Sequence, residues 1–328
     1  MELCHDITAM FDGFKGALFR RGHVIEAADI PRLLDIGKQN VFVWEPEAGE
    51  IHEEDAALRM AAMAPVAGAH YEGPSEGKVV LKADSAGMFR VNTPLLRQIN
   101  SIGDLTISTI PDHYPVQPGM KLASARIVPL VTQQAQIEAA EALCKDERLL
   151  DLLPYQAKKA GIIITGSEVY HGRIKDKFEA VARRKLAHYP CEILGVTLCD
   201  DDLAMLTGAA RDFLDRGADL LIFSGGMSVD PDDLTPSAIR ALGAEVVSYG
   251  VPAQPGNMTL VAYLDGCAVL GVPGASIVLP TTMFDVVLPH VFAGVKFTKA
   301  ELIALGDGGL CHQCASGCHF PNCTFGRY

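Results

Sequence analysis

The second half of this sequence predicts an α/β domain, a doubly wound and mostly parallel sheet with helices on both faces, preceded by a β-rich α+β N-terminal region. Two observations carry that expectation. From residue 158 onward, short β-branched runs such as Gly161-Ile-Ile-Ile-Thr165 and Asp219-Leu-Leu-Ile-Phe223 alternate with amphipathic stretches of helical period, the order of successive βαβ units. Three of those runs lead straight into glycine-bearing turns, and the ligand of such a sheet sits beyond the carboxyl ends of its strands. Before Pro154 the pattern is irregular.

Taken in order, residues 40–44 and 78–83 read as short extended runs and 54–64 as an amphipathic helix. Residues 84–92 lead to a helix near 94–102, 121–130 alternate as a strand does, and 133–143 form a polar helix that opens the connection. Strand 161–165, helix 175–188, strand 191–197, helix 203–216 and strand 219–223 follow. Thr235 and Pro236 open a short helix as N-cap and first helical residue. Strand 268–272 precedes a long apolar helix starting near 275. The expected organisation is 1–157, 158–300 and a cysteine-rich tail at 301–328.

Composition narrows the function. With 28 Lys and Arg against 40 Asp and Glu the net charge is −12, and the cations are scattered apart from Arg183-Arg184-Lys185, so nucleic acid is not an expected partner. No apolar run reaches the ~20 residues of a membrane helix. Glu2, Asp6 and Asp12 stand where a secretory signal would be basic and then apolar, which places the chain in the cytoplasm. Of nine cysteines, Cys4, Cys144, Cys191, Cys199 and Cys267 are dispersed as buried thiols are, while four crowd into the last 18 residues.

The glycine turns are Thr165-Gly-Ser-Glu168 with Gly172 and Asp176 downstream, Ser224-Gly-Gly-Met-Ser-Val-Asp-Pro-Asp-Asp-Leu-Thr-Pro236, and Gly271-Val-Pro-Gly274. In the second, the amides after Phe223 and the positive end of the next helix make an anion cradle that needs no lysine. One such turn serves merely to reverse the chain; three on one edge point to a site. Glu168, Asp176, Asp200, Asp201, Asp202, Asp230, Asp232 and Asp233 fall at or near strand ends. Magnesium takes one or two carboxylates and lets substrate phosphates complete its shell. The same side chains cap helices and build turns around Pro231, and spacing alone does not separate these roles.

The ordered set of TGSE with its downstream Gly and Asp, the acidic turn at Asp200, SGGMSVDPDDLTP, and the pairs Pro255-Gly256 and Pro273-Gly274 resembles the molybdopterin-binding domain of molybdopterin adenylyltransferases and molybdotransferases. It spans about residues 160–292. The resemblance implies that Thr165, Gly166, Ser167, Ser224, Gly225, Gly226, Ser228, Pro255, Gly256, Pro273 and Gly274 line a site for molybdopterin or its adenylylated form. It also implies that Asp233, Asp200 and Glu168 are the catalytic or magnesium-linked acids, that molybdate and a molybdoenzyme are partners, and that the chain is a homo-oligomer. Ser167 stands where molybdotransferases have Asp and Asp230 where their loop has Gly, and Asp233-Leu-Thr-Pro236 is closer to the adenylyltransferase loop. In the first half, residues 22–37 look like the molybdotransferase segment that leads into the central domain, displaced toward the start, whereas that family's N-terminal Ser-Ala-(Met)-Asp-Gly-(Tyr) signature is absent and residues 10–14 are only vaguely similar to it. Three functions follow from the resemblance: molybdate insertion or an allied nucleotidyl step, a non-catalytic cofactor carrier or sensor, and a nucleotide pyrophosphatase of the competence-damage type.

Cys311, Cys314, Cys318 and Cys323, spaced C-x2-C-x3-C-x4-C with His312 and His319 between them, have the density of a metal site. Zinc and an iron–sulfur cluster both suit it; the bland alternative is a disordered tail with adventitious thiols.

Overall fold

A strand that buries one face repeats its apolar residues with period two, and Val79, Leu81 and Ala83 do so in Lys78–Ala83. The computed structural model describes residues 2–11, 13–42 and 47–327. The chain divides into two units, residues 1–84, 91–110 and 119–151 in the first and 85–90, 111–118 and 152 onward in the second. In the first, strands Ala69–Ser75, Lys78–Ala83, Lys121–Ile127 and Leu105–Thr109 form an antiparallel four-stranded sheet in that order. Helix Glu53–Met63 packs on it through Ala56, Ala57 and Met60. A hairpin, Ile7–Phe11 with Phe14–Phe19, precedes this sheet in the chain. Of the extended run expected at 40–44, residues 40–42 are not a strand. Val43 and Trp44 lie outside the described residues, as does Asp12 of the 10–14 segment.

The second unit carries the α/β sheet. Its strands are β1 (Lys158–Thr165), β2 (Cys191–Cys199), β3 (Leu220–Ser224), β4 (Glu245–Tyr249), β5 (Leu260–Leu264) and β6 (Cys267–Val272). Their spatial order is β2-β1-β3-β6-β5-β4. The first four are mutually parallel, and β5 and β4 are antiparallel additions at one edge. The helices are α1 (Ser167–Tyr170), α2 (Phe178–Leu186), α3 (Leu203–Asp215), α4 (Thr235–Ala241), α5 (Ala275–Val278), α6 (Met283–Phe292) and α7 (Lys299–Ala304). All five residues of β3 are buried. Leu220 and Ile222 meet Phe178, Phe284 and Phe292 on one face, while Leu221 and Phe223 meet Leu206, Phe213 and Ile239 on the other. Each such side chain contributes about 1.5–3 kcal/mol of burial energy, so the central strand is held from both sides. Gly161 of β1 gives Phe213 its place: a Cβ there would lie 2.4 Å from the ring.

Two strands and one break depart from the sequence expectation. The β5–β6 hairpin turns on Asp265 and Gly266, both at positive φ (46° and 88°), which is the Asp-Gly signal of a tight turn between paired strands. The helix expected from 275 is two helices, because Pro280 has no amide to donate and favours the extended backbone found at Leu279. The second, α6, restarts on a capping box between Thr282 and Asp285. No helix among the described residues is long and apolar enough to cross a membrane.

Inside α6, His290 is 3% exposed, and its Nε2 has no hydrogen-bond partner among the described residues. Burial, reinforced by His113, pushes it from the usual 6.5 down to about 3. The folded protein keeps this ring neutral while the unfolded chain takes up a proton, so stability should fall as pH drops from 6.5 toward 3. His290→Leu should flatten that acid limb in denaturant titrations at a series of pH values. An unchanged slope would remove His290 from the account.

Candidate functional site

The parallel strands β2, β1, β3 and β6 end at one sheet edge. From β1 the chain passes to one side for β2 and returns to the other side for β3. Connections therefore diverge between β1 and β3, and such a reversal opens a crevice beyond the strand ends. Thr165-Gly166 and Ser224-Gly225-Gly226 sit at that point.

The two loops touch. Gly225 has φ +92°, and a Cβ on it would lie 2.1 Å from the Thr165 carbonyl oxygen. Gly226, at φ +55°, turns its absent Cβ toward the Thr235 hydroxyl (3.0 Å) and the Thr165 methyl (3.2 Å). That hydroxyl donates to the Gly225 carbonyl at 2.8 Å. Thr235 is thus the first residue of α4 with its side chain folded back onto the loop, and Leu234 takes the N-cap position expected for Thr235. Met227 is buried against Gly271 of β6, where a Cβ would meet its Cε at 2.6 Å. From β4, the Tyr249 hydroxyl is shared between the Met227 and Ser228 carbonyls at 3.2 and 2.9 Å. Burial pushes the Tyr249 phenol up, with Asp233 adding in the same direction, so it remains a donor. Every carbonyl of residues 225, 227 and 228 is therefore claimed from the protein side. The amides of Gly226, Met227, Ser228 and Val229 donate to no group among the described residues. Successive amides with no acceptor in the fold are one requirement of an anion-binding nest.

The acids divide by what they touch. Asp202 accepts from the Met205 amide at 2.7 Å and caps α3. Asp176 accepts from the amides of Phe178 and Glu179, both at 2.9 Å, at the start of α2. Asp201 ties the first loop to the end of β2, accepting the Thr165 hydroxyl at 2.8 Å and the Ser167 amide at 3.0 Å. Asp233 accepts the Asp230 amide at 3.0 Å, which closes the acidic turn around Pro231. Asp200 accepts the Asp201 amide at 3.0 Å and has its other oxygen 3.9 Å from His171. Glu168 is exposed, and its carboxylate has no hydrogen-bond or ion-pair partner among the described residues. Gly256 has φ +102° against the Met283 amide, and Pro273-Gly274 leads into α5. Both follow the same sheet edge, since Leu260 opposite Gly271 places the start of β5 beside the end of β6. Tyr249 is the contributor that the sequence motifs do not mark, while Thr235 and Asp201 lie in marked segments but hold the loops in ways that spacing does not encode.

Residues 161–293 match the family described as a probable molybdopterin binding domain, and residues 1–45 match a domain of unknown function. A CinA-like protein of Mycobacterium tuberculosis is 34% identical over 90 residues, 27% of this chain and 21% of that protein. One from Mycolicibacterium gilvum is 36% identical over 89 residues, with the same shares. The chain thus spans about a fifth of the length of these curated relatives. Among solved structures, the tungsten cofactor synthesizing protein MoaB from Pyrococcus furiosus is 18% identical with a TM-score of 0.36, covering 42% of this chain and 94% of that one. The protein CinA from Thermoplasma acidophilum is 20% identical with a TM-score of 0.33, covering 37% and 90%.

The loop geometry makes a graded prediction. Gly226→Ala should cost about 1 kcal/mol for its left-handed backbone. Gly225→Ala should cost more, because it must also push the Thr165 carbonyl aside. Thermal melts of the two variants test this; equal and small losses would contradict the close approach of the loops.

Proposed function

We propose, from the match of residues 161–293 to the family described as a probable molybdopterin binding domain, that the chain binds molybdopterin, or its adenylylated form, at the β1/β3 crevice and acts in molybdenum cofactor biosynthesis. The observation that carries the reading is the run of unclaimed amides at 226–229 beside the loop contact. The pterin phosphate is an anion that such amides hold without lysine, which suits an acidic chain. Ser228 is exposed in the same loop and adds a hydroxyl.

The step we propose is molybdate insertion into adenylylated molybdopterin, or a closely allied nucleotidyl step. When bound, magnesium would supply charge neutralisation at the phosphates. It needs only one or two carboxylates, so the lack of any group of three metal-binding side chains among the described residues is no obstacle. Glu168, which has no structural duty, is the acid freest to serve. Asp233 and Asp200 each have an oxygen beyond the one that accepts an amide. Asp201, Asp202 and Asp176 are engaged in holding the fold. The four tail cysteines are proposed as metal ligands. The same crevice as the site of a nucleotide pyrophosphatase, implied by the resemblance to the competence-damage family, is the second reading.

Titration of the purified chain with molybdopterin tests the site, and activity toward a dinucleotide without pterin would favour the second reading. Glu168→Gln and Asp233→Asn should abolish cofactor assembly with little change in melting temperature. Asp201→Asn should instead lower stability by about 1–3 kcal/mol, as expected when a part-buried hydrogen-bond network loses its acceptor. Full assembly activity in both Glu168→Gln and Asp233→Asn would sink these assignments.

A further inference from the structure

The first unit has a cavity of its own, built from residues that the pterin crevice does not use. It measures about 290 Å³, and its wall includes His5, Asp6, Phe42, Glu53, Glu76 and Arg126, all within that unit. A single water needs only ~10–15 Å³ of such free space, so the cavity admits a molecule of many atoms. His5, Asp6 and Phe42 lie in the stretch that matches a domain of unknown function.

Glu53 is the anomaly in this wall. It opens the helix Glu53–Met63 and is only 8% exposed. Its carboxylate packs on the hairpin turn between Ala69–Ser75 and Lys78–Ala83 so closely that a Cβ on Gly77 would collide with Oε2. Yet that carboxylate accepts no hydrogen bond among the described residues. The cation paired with it, Arg126, stands 3.5 Å away, beyond the ~2.7–2.9 Å of a charge-assisted hydrogen bond. Arg126 directs its Nε to the Ile127 carbonyl at 3.0 Å instead. Buried polar atoms are as a rule hydrogen-bonded, so this carboxylate is short of donors. Burial pushes the Glu53 carboxyl up, with His52 and Arg126 opposing.

The rest of the wall selects the kind of donor. Asp6, Glu53 and Glu76 set three carboxylates against the guanidinium of Arg126. Burial pushes His5 down, which favours its neutral form. Glu76 is held at φ +51° in the two-residue turn before Gly77, a conformation more at home with glycine, asparagine or aspartate. Phe42 adds an exposed aromatic ring. Such a wall repels anions, and a guanidinium within it makes a bare metal ion a poor occupant. Acceptors beside an aromatic ring complement an organic cation that carries N–H groups. We propose that this cavity binds a small organic cation, an amine or a guanidine, whose N–H groups donate to Glu53 and whose charge is balanced by Asp6 and Glu76. The inference is independent of pterin binding.

The full chain, titrated with methylguanidinium or with butylammonium, should bind at least one of them saturably by calorimetry, and its melting temperature should rise with the ligand. Glu53→Gln keeps the shape of the side chain and removes its charge. Its fold, checked by circular dichroism, should survive, while affinity drops roughly tenfold or more, as expected for hydrogen bonds to a charged group. Glu76→Gln, in an exposed turn, should weaken binding several-fold and gives a second reading should the buried substitution disturb the fold. Inorganic phosphate and calcium, probes of the opposite charge and of a bare ion, should not compete. Absence of saturable binding by both cations, unchanged affinity in either variant, or displacement of the organic cation by calcium or phosphate would overturn the proposal.

Discussion

Gly225 passes so close to the Thr165 carbonyl that no side chain fits between them. Through that contact the ends of β1 and β3 become a single surface. Thr235 then holds the Gly225 carbonyl, Tyr249 the next carbonyls, and Met227 fills the space over Gly271. These contacts engage the loop's carbonyls and leave its amides without an acceptor among the described residues. The proposed cradle would thus be a by-product of packing, since the carbonyls are claimed and the amides are not.

The two apolar layers make that positioning possible. β3 is buried on both faces, and its neighbours β1 and β6 are fixed in register with it. A site spread over the ends of three such strands inherits their rigidity, whereas the acidic turn around Pro231 is exposed and held by Asp230–Asp233 bonds.

The parallel strands, their helices and the three loops were legible because βαβ units repeat a period and glycines mark their turns. What escaped reading has local physical causes. β4 and β5 lie outside the parallel repeat, although Asp265-Gly266 announced their hairpin partner β6. Pro280 was passed over inside an apolar run, which made one helix of two. Among the carboxylates, the split between Asp201, which binds a hydroxyl and an amide, and Glu168, which binds nothing in the fold, depends on side-chain direction that spacing does not encode. Tyr249 lies 24 positions from Gly225 in the sequence, and only the closed sheet brings its hydroxyl to the loop.

The Tyr249 bond bears on how far this loop can be transplanted. A designer who grafted residues 224–236 onto another parallel sheet would carry the glycines and Thr235 but leave behind the Thr165 carbonyl, Gly271 and the phenol on an edge strand. The portable module is therefore four strand ends deep, and a scaffold lacking the antiparallel edge would receive a loop with its carbonyls released to compete for the ligand's counter-ions.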